Sequence, residues 1–187
     1  MRLFLIRHPQ PDIGEGICYG RTDLPLRESW PMKMALPTLP SDVRVISSPL
    51  QRCVAFATTL FPHVDIDARL RELDFGAWEM QDWQDISRTQ LDAWAADPLG
   101  FNAHGGESVA QMRLRVRQAL ADLDGRDCVW VTHAGVMKIV VGELLALPQD
   151  EWLSLRFAHA EVITLDALPD QVREKSAGSR WSLTRQR

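Results

Sequence analysis

Two unbroken apolar stretches, Leu3-Phe4-Leu5-Ile6 and Cys128-Val129-Trp130-Val131, stand near opposite ends of the chain. Short runs without polar alternation are the pattern of strands buried on both faces, as in a parallel sheet covered by helices. Each run stops abruptly in polar chemistry: Arg7-His8 after the first, Thr132-His133-Ala134-Gly135 after the second. Residues 43–46 and the alternating 64–67 predict two more strands, and residues 161–165 and 181–184 predict two near the C-terminus, the last with a frayed end. Helical periodicity runs through to Leu60 from a start at Ser48-Pro49, with serine as the cap and proline in the first position. It returns in a Trp-rich segment, 82–96, closed by Asp97-Pro98. After Gly105-Gly106-Glu107-Ser108, one face of a strong amphipathic helix carries Val109, Met112, Val116, Leu120 and Leu123, with Arg113, Arg115 and Arg117 as its solvated side. That helix closes near Gly125. A further helix spans 136–147, stopped by Pro148.

The remaining segments read as loops. Residues 9–21 are dense in Pro and Gly and form an ordered loop hanging from the end of the first strand. Residues 29–39 hold Pro31 and Pro37 and make a weak helix. Two strand-plus-helix units, one near each end of the chain, therefore each carry a histidine at the strand's carboxyl end. In a doubly wound α/β sheet such ends lie side by side, which is where ligands bind.

Composition narrows the function classes. At 187 residues, with 45% apolar and 25% charged residues, the chain suits one globular domain with a real core. A net charge of -4 gives no basic field for nucleic acid. Cys18, Cys53 and Cys128 are an odd set without metal-type pairing, which predicts free thiols in a reducing compartment. The N-terminus lacks the apolar core of a signal peptide, and no run approaches the ~18 residues of a membrane span. A soluble, cytoplasmic protein with no membrane partner is expected. His63, His104 and His159 fall at turns and read as structural or solvent-facing.

The candidate chemistry lies in His8 and His133 facing one volume, with Arg7 and Arg52 reaching into it. Arg52 falls in the first turn of its helix, where a cation is disfavoured by ~0.3–1 kcal/mol. That points to an anion nearby, a plain surface arginine being the alternative. Two imidazoles and two guanidiniums without a ring of carboxylates make a poor metal site. They suit a phosphoryl group, which arginines bind bidentately, and helix backbone N–H groups beside His133 would add to the field. Like charges should hold one histidine neutral, hence nucleophilic, which predicts a phosphohistidine with a carboxylic acid protonating the leaving alcohol. Glu72, between Leu70 and Leu73, could be half-buried, which would raise its pKa toward ~6–7. Asp74 and Glu79 compete, and any of the three could pair with Arg69 or Arg71. Tyr19 and Arg21 suit a pocket wall.

The stretches Leu5-Ile6-Arg7-His8, Ser47-Ser48-Pro49-Leu50-Gln51-Arg52, Arg71-Glu72-Leu73-Asp74-Phe75-Gly76-Ala77-Trp78-Glu79, Gly105-Gly106-Glu107-Ser108 and Val131-Thr132-His133-Ala134-Gly135 resemble, in order, the motifs of the histidine phosphatase (phosphoglycerate mutase-like) superfamily. The resemblance spans residue 3 to about residue 145. It implies a three-layer α/β/α sandwich with a mostly parallel central sheet, within a single domain over residues 1–187. It implies His8 as nucleophile, Arg7, Arg52 and His133 as the phosphate pocket, and Glu72 as proton donor. Gln10, Tyr19, Gly20, Arg21 and Ala134 are the further candidates for substrate or phosphate binding. A small phosphorylated metabolite is the implied partner, with no cofactor and no metal, and the oligomeric state is left open. Within the superfamily, the Arg7-His8-Pro9-Gln10-Pro11 opening and the stretch Cys18-Tyr19-Gly20-Arg21-Thr22-Asp23-Leu24-Pro25-Leu26 look most like the α-ribazole phosphatases of cobalamin biosynthesis. Pro9, Ala134 and Met80 depart from residues frequent in the wider family. Other readings of the same residues are a broad-specificity phosphatase, a phosphoglycerate mutase and a non-catalytic phosphate-ligand-binding protein.

Overall fold

β1 (Arg2–Arg7) is the strand on which both layers of core converge. Its side chains alternate: Leu3 and Leu5 pack into one buried cluster, Phe4 and Ile6 into another. Because both faces are covered, no polar alternation is needed, which explains the continuous apolar run. The computed structural model describes residues 1–29, 36–168 and 180–185. The other strands are β2 (Arg44–Ser47), β3 (Asp65–Ile66), β4 (Cys128–Thr132), β5 (Val162–Ala167) and β6 (Trp181–Arg185). They form a sheet of order β3-β2-β4-β1-β5-β6. β3, β2, β4 and β1 run parallel, whereas β5 and β6 add an antiparallel edge.

The helices are α1 (Gln51–Leu60), α2 (Arg88–Ala96), α3 (Val109–Ala121), α4 (Ala134–Leu145) and α5 (Gln149–Ser154). Cys53, Phe56 and Ala57 of α1 meet Phe4, Ile6, Val129 and Val131 on one sheet face. On the other, Met112 and Val116 of α3 and Val136 and Ile139 of α4 meet Leu3, Leu5 and Trp130. Helix, sheet and helix thus make three layers. Each such aliphatic side chain, fully buried, contributes roughly 1.5–3 kcal/mol, so the two central strands are strongly fixed in register. Ser108 caps α3 in a reciprocal pair with Gln111. Among the described residues no helix is long and apolar enough to cross a membrane.

Several boundaries differ from the sequence pattern. α1 opens at Gln51, with Leu50 as its N-cap and no side chain of its own capping it. The cap comes through space, from Asp23, whose carboxylate accepts the Gln51 N–H at 2.7 Å. Of the Trp-rich segment, only α2 is helical, because the residues before it are held by contacts to the N-terminal loop: Trp83 N–H donates to Gly16 O at 2.8 Å. The helix after β4 ends at Leu145 with Ala146 left-handed, and Pro148 then opens α5. β3 keeps only two paired residues. Among the described residues no helix follows β1 before β2; the loop doubles back instead, closed by a bridge between Pro11 and Leu26. Of segment 29–39, residues 30–35 lie outside the described residues, and residues 36–39 are not helical.

Candidate active site

Register brings the two histidines together. Arg7 lies opposite Thr132 in the parallel β1–β4 pair, so the next residue of each strand leaves the sheet at the same edge. His8 and His133 are buried, and their ring centroids stand 5.0 Å apart, edge to face. The His8 backbone N–H donates to Thr132 O at 3.0 Å, which locks the two strand ends.

The His8 ring has a fixed tautomer. Nδ1 lies 2.6 Å from the carbonyl of Pro9, so it must carry the proton and donate it there. That leaves a lone pair on Nε2, toward which the Arg52 Nε–H is aimed at 3.3 Å. Burial, and then the Arg52 charge, hold the imidazole well below its ordinary pKa, against the opposing effect of the Pro9 bond. A neutral ring with an open Nε2 is a nucleophile. His133 is oriented by other partners: its Nε2 lies 2.8 Å from Ser48 Oγ and 3.5 Å from Cys53 Sγ. Burial, followed by the charges of His8 and Arg52, also keeps it well below its ordinary pKa.

Arg52 is fully buried, so it is no surface arginine. Its Nη1 donates to Thr22 O at 2.7 Å and Nη2 to Gly20 O at 2.5 Å, and its guanidinium carbon lies 5.6 Å from the centre of the Tyr19 ring. Arg7 donates from Nη1 to Phe157 O at 2.5 Å. Its Nε is buried with no hydrogen-bond partner among the described residues, a donor that a bound anion could satisfy.

The three carboxylates have separate environments. The Glu79 carboxylate accepts from Thr22 Oγ1 (2.5 Å) and from the N–H groups of Gly20, Arg21, Thr22 and Phe75 (2.9–3.1 Å). Burial pushes its pKa up, but these bonds outweigh it and keep the carboxyl below its ordinary value. It is a clamp for the loop. Asp74 is divided between Gly76 N–H (2.8 Å) and Arg21 Nη1 (3.2 Å). Glu72, half-buried, reaches the head of α4: Oε2 accepts from Gly135 N–H at 3.0 Å and Oε1 from Leu73 N–H at 3.0 Å. A Cβ at residue 135 would sit 2.2 Å from Glu72 Oε1, so only glycine admits the carboxylate there.

Not every candidate from the sequence joins this group. The Arg21 side chain pairs with Asp74 and, at 3.6 Å, with Glu107. Gly20 has both backbone groups committed to Glu79 and Arg52, and its need for glycine is steric, since a Cβ would lie 1.9 Å from Leu73 O. Gln10 is exposed, and Ala134 contributes the first residue of α4. Tyr19 does line the site, its hydroxyl 3.4 Å from His159 Nε2.

Two residues that the sequence pattern assigned elsewhere belong here. The His159 ring lies 5.6 Å from that of His8, and burial with the charges of Arg7 and Arg52 brings its pKa down to about 4. Its turn is tied to β1 by Ala160 N–H, which donates to His8 O at 3.3 Å. Arg115 is not part of a solvated face. It donates to the carbonyls of Arg69 (2.5 Å), Arg71 (2.7 Å) and Glu72 (3.2 Å) while paired with Glu107, and so fixes the backbone that carries Glu72. A cluster of histidines is no signal in itself; for His159 the only clue was its place just before a strand. His104 is structural, packed edge to face among Phe75, Trp78 and Phe101, and His63 is exposed.

A curated relative, the adenosylcobalamin/α-ribazole phosphatase of Salmonella typhimurium, is 28% identical over 165 residues, covering 79% of this chain and 81% of the relative. The glucosyl-3-phosphoglycerate phosphatase of Mycobacterium tuberculosis is 28% identical over 183 residues, covering 82% and 79%. The crystal structure of a phosphoglycerate mutase from Thermus thermophilus superposes with a TM-score of 0.75 at 26% identity, covering 100% of this chain and 99% of that one. Residues 3–179 match the histidine phosphatase superfamily (branch 1), and the chain belongs to that family.

Proposed function

We propose that the chain is a phosphomonoesterase that works through a phosphohistidine on His8. The observation that carries this reading is the tautomer: the Pro9 carbonyl claims Nδ1 and leaves the Nε2 lone pair open beside Arg52. In the first step that lone pair attacks the phosphorus of a bound monoester, the bond to the alcohol oxygen breaks, and protonated Glu72 gives that oxygen its proton. In the second, Glu72 takes a proton from water as the water attacks the phosphohistidine, releasing inorganic phosphate. Arg7, Arg52, His133 and the Ala134 N–H at the head of α4, the next N–H being held by Glu72, neutralise the phosphoryl oxygens, where charge builds up. Arg52 has a further duty. Its Nε–H caps the lone pair at rest and passes to a phosphoryl oxygen as the N–P bond forms. The Thr22 and Gly20 carbonyls hold the far side of the guanidinium, so little movement is needed.

The substrate we favour is α-ribazole 5′-phosphate, supported by the Arg7–Pro11 opening, the Cys18–Leu26 stretch and the named activity of the Salmonella relative. The mycobacterial relative is equally similar, which supports a second reading as a phosphatase of other small phosphates. Three free, buried cysteines suit a reducing compartment such as the cytoplasm. The test is phosphate release by the purified protein from α-ribazole 5′-phosphate, glucosyl-3-phosphoglycerate and 3-phosphoglycerate. The expected result is a kcat/KM for the first at least ~10-fold above the others, of the order that pocket contacts supply. Equal values would favour broad specificity. Isomerisation of phosphoglycerate without release would overturn the hydrolase reading.

A further inference from the structure

Glu72, Ala134 and Gly135 also form one wall of a cavity of about 220 Å³ between α2, α3, α4 and α5. The rest of its lining is apolar: the rings of Phe75, Trp94 and Trp152, and the side chains of Val109, Met112 and Leu153. Apart from Glu72 and the indole N–H groups of Trp94 and Trp152, its polar side chain is Lys138, whose ammonium already donates to Leu153 O at 2.8 Å.

We propose that this cavity receives the body of the leaving alcohol, and that it selects an alcohol bearing a flat apolar ring system over one covered in hydroxyls. The inference rests on the phosphatase reading above, and three observations carry it. Continuity is the first. Glu72 protonates the oxygen that departs, so the carbon skeleton of the alcohol must extend from Glu72, and the cavity begins at that residue. Size is the second. A dry cavity of ~150 Å³ lined by aliphatic and aromatic side chains takes one benzene ring, so about 220 Å³ takes a fused bicyclic ring rather than a whole cofactor. Chemistry is the third. A sugar in this space would bury several hydroxyls against three aromatic rings, with Glu72 and Lys138 as the side-chain partners, and unpaired buried hydroxyls are disfavoured. An aromatic base attached to the ribose of a nucleoside phosphate meets no such penalty. The cavity therefore favours the first of the two substrate readings.

The experiment compares three esters whose leaving groups are all alkanols: 2-(2-naphthyl)ethyl phosphate, ethyl phosphate and glucose 6-phosphate. The expected kcat/KM for the naphthyl ester exceeds that for glucose 6-phosphate by ~10²-fold, in the range that an apolar pocket supplies. Leu153→Trp, from α5, and Val109→Trp, from α3, fill the cavity from two different helices. Each should bring the ratio of naphthyl to ethyl ester close to unity, with thermal midpoints recorded so that a variant that fails to fold is recognised and the other wall decides. Equal kcat/KM for the three esters in the wild-type protein overturns the proposal, as does a naphthyl preference that survives in a folded filling variant. Absence of phosphate release from all three, ethyl phosphate included, overturns the phosphatase reading itself and this inference with it.

Discussion

The carboxyl ends of β1 and β4 carry the same residue type at the same register, yet the chain continues from them in opposite ways. After β4 it enters α4 at once, and His133 serves as the N-cap of that helix. After β1 it enters a loop, and the Pro9 carbonyl turns back onto the ring of His8. The first arrangement ties Nε2 to Ser48 and places the ring beside helix N–H groups, a setting for holding an anion. The second ties the Nδ1 proton and leaves Nε2 unprotonated, its lone pair met by the Arg52 Nε–H, a setting for attack. What each imidazole can do follows from which nitrogen its neighbours have already claimed.

Replacing the attacking ring should have the largest effect. His8→Ala is expected to lower phosphate release by ~10⁴-fold or more, since residues acting as one unit fail together. It should also abolish the acid-labile, base-stable phosphoenzyme seen by radiolabelling. Activity that persists would mean that the wrong strand end has been named nucleophile. Glu72→Ala comes next, at ~10²–10⁴-fold for alkyl esters and far less for p-nitrophenyl phosphate, whose leaving group needs no proton. If Asp74→Ala shows that pattern instead, the proton donor is misassigned.

Ser48→Ala probes the other strand end. Loss of the Ser48 bond to His133 Nε2, leaving only the weaker contact with Cys53 Sγ, should reduce kcat roughly tenfold, as removal of one hydrogen bond does, while the phosphoenzyme still forms. A rate matching wild type would show that the orientation of His133 does not depend on Ser48. Acidification is a gentler perturbation. Both buried rings resist protonation in the folded state, whereas the unfolded chain takes up protons near pH 6.5. Stability should therefore be level above about pH 6.5 and fall as the pH drops below it. Urea midpoints at pH 7.5 and 5.5 measure the fall, which should be shallower in His8→Asn by up to ~1.4 kcal/mol per pH unit. A chelator should change nothing, since among the described residues no group of three or more His, Cys, Asp or Glu side chains is placed to hold a metal ion.

The meeting of the strand ends was legible because two strands buried on both faces, each followed at once by a histidine, leave a parallel sheet at the same edge. Arg52 stood out because a cation in a first helical turn is disfavoured by the helix itself, and the structure buries it against His8. Glu72 could not be separated from Asp74 and Glu79 by spacing, because what separates them is distant in sequence: Thr22 claims Glu79, Arg21 claims Asp74, and Gly135 admits Glu72. His159 was missed for the same reason. It arrives beside His8 through the antiparallel pairing of β5 with β1, a long-range register that no local pattern announces. The segment before α2 misled because Trp83, held by the Gly16 carbonyl of the loop, stands at a helical spacing from Trp94 of α2.

Cys53 lies 3.5 Å from His133 Nε2 and 3.6 Å from Thr132 O, which puts a thiol against one of the two facing histidines. A cysteine beside an imidazole is the usual recipe for a reactive thiolate. Here burial pushes the Cys53 thiol far up, and the neighbouring ring is itself neutral. The same burial raises Cys18 to about 12 and Cys128 to about 11. Oxidants and alkylating agents act on the thiolate, so at neutral pH they find almost none to attack. The thiol beside His133 is thereby kept in its unreactive, protonated form.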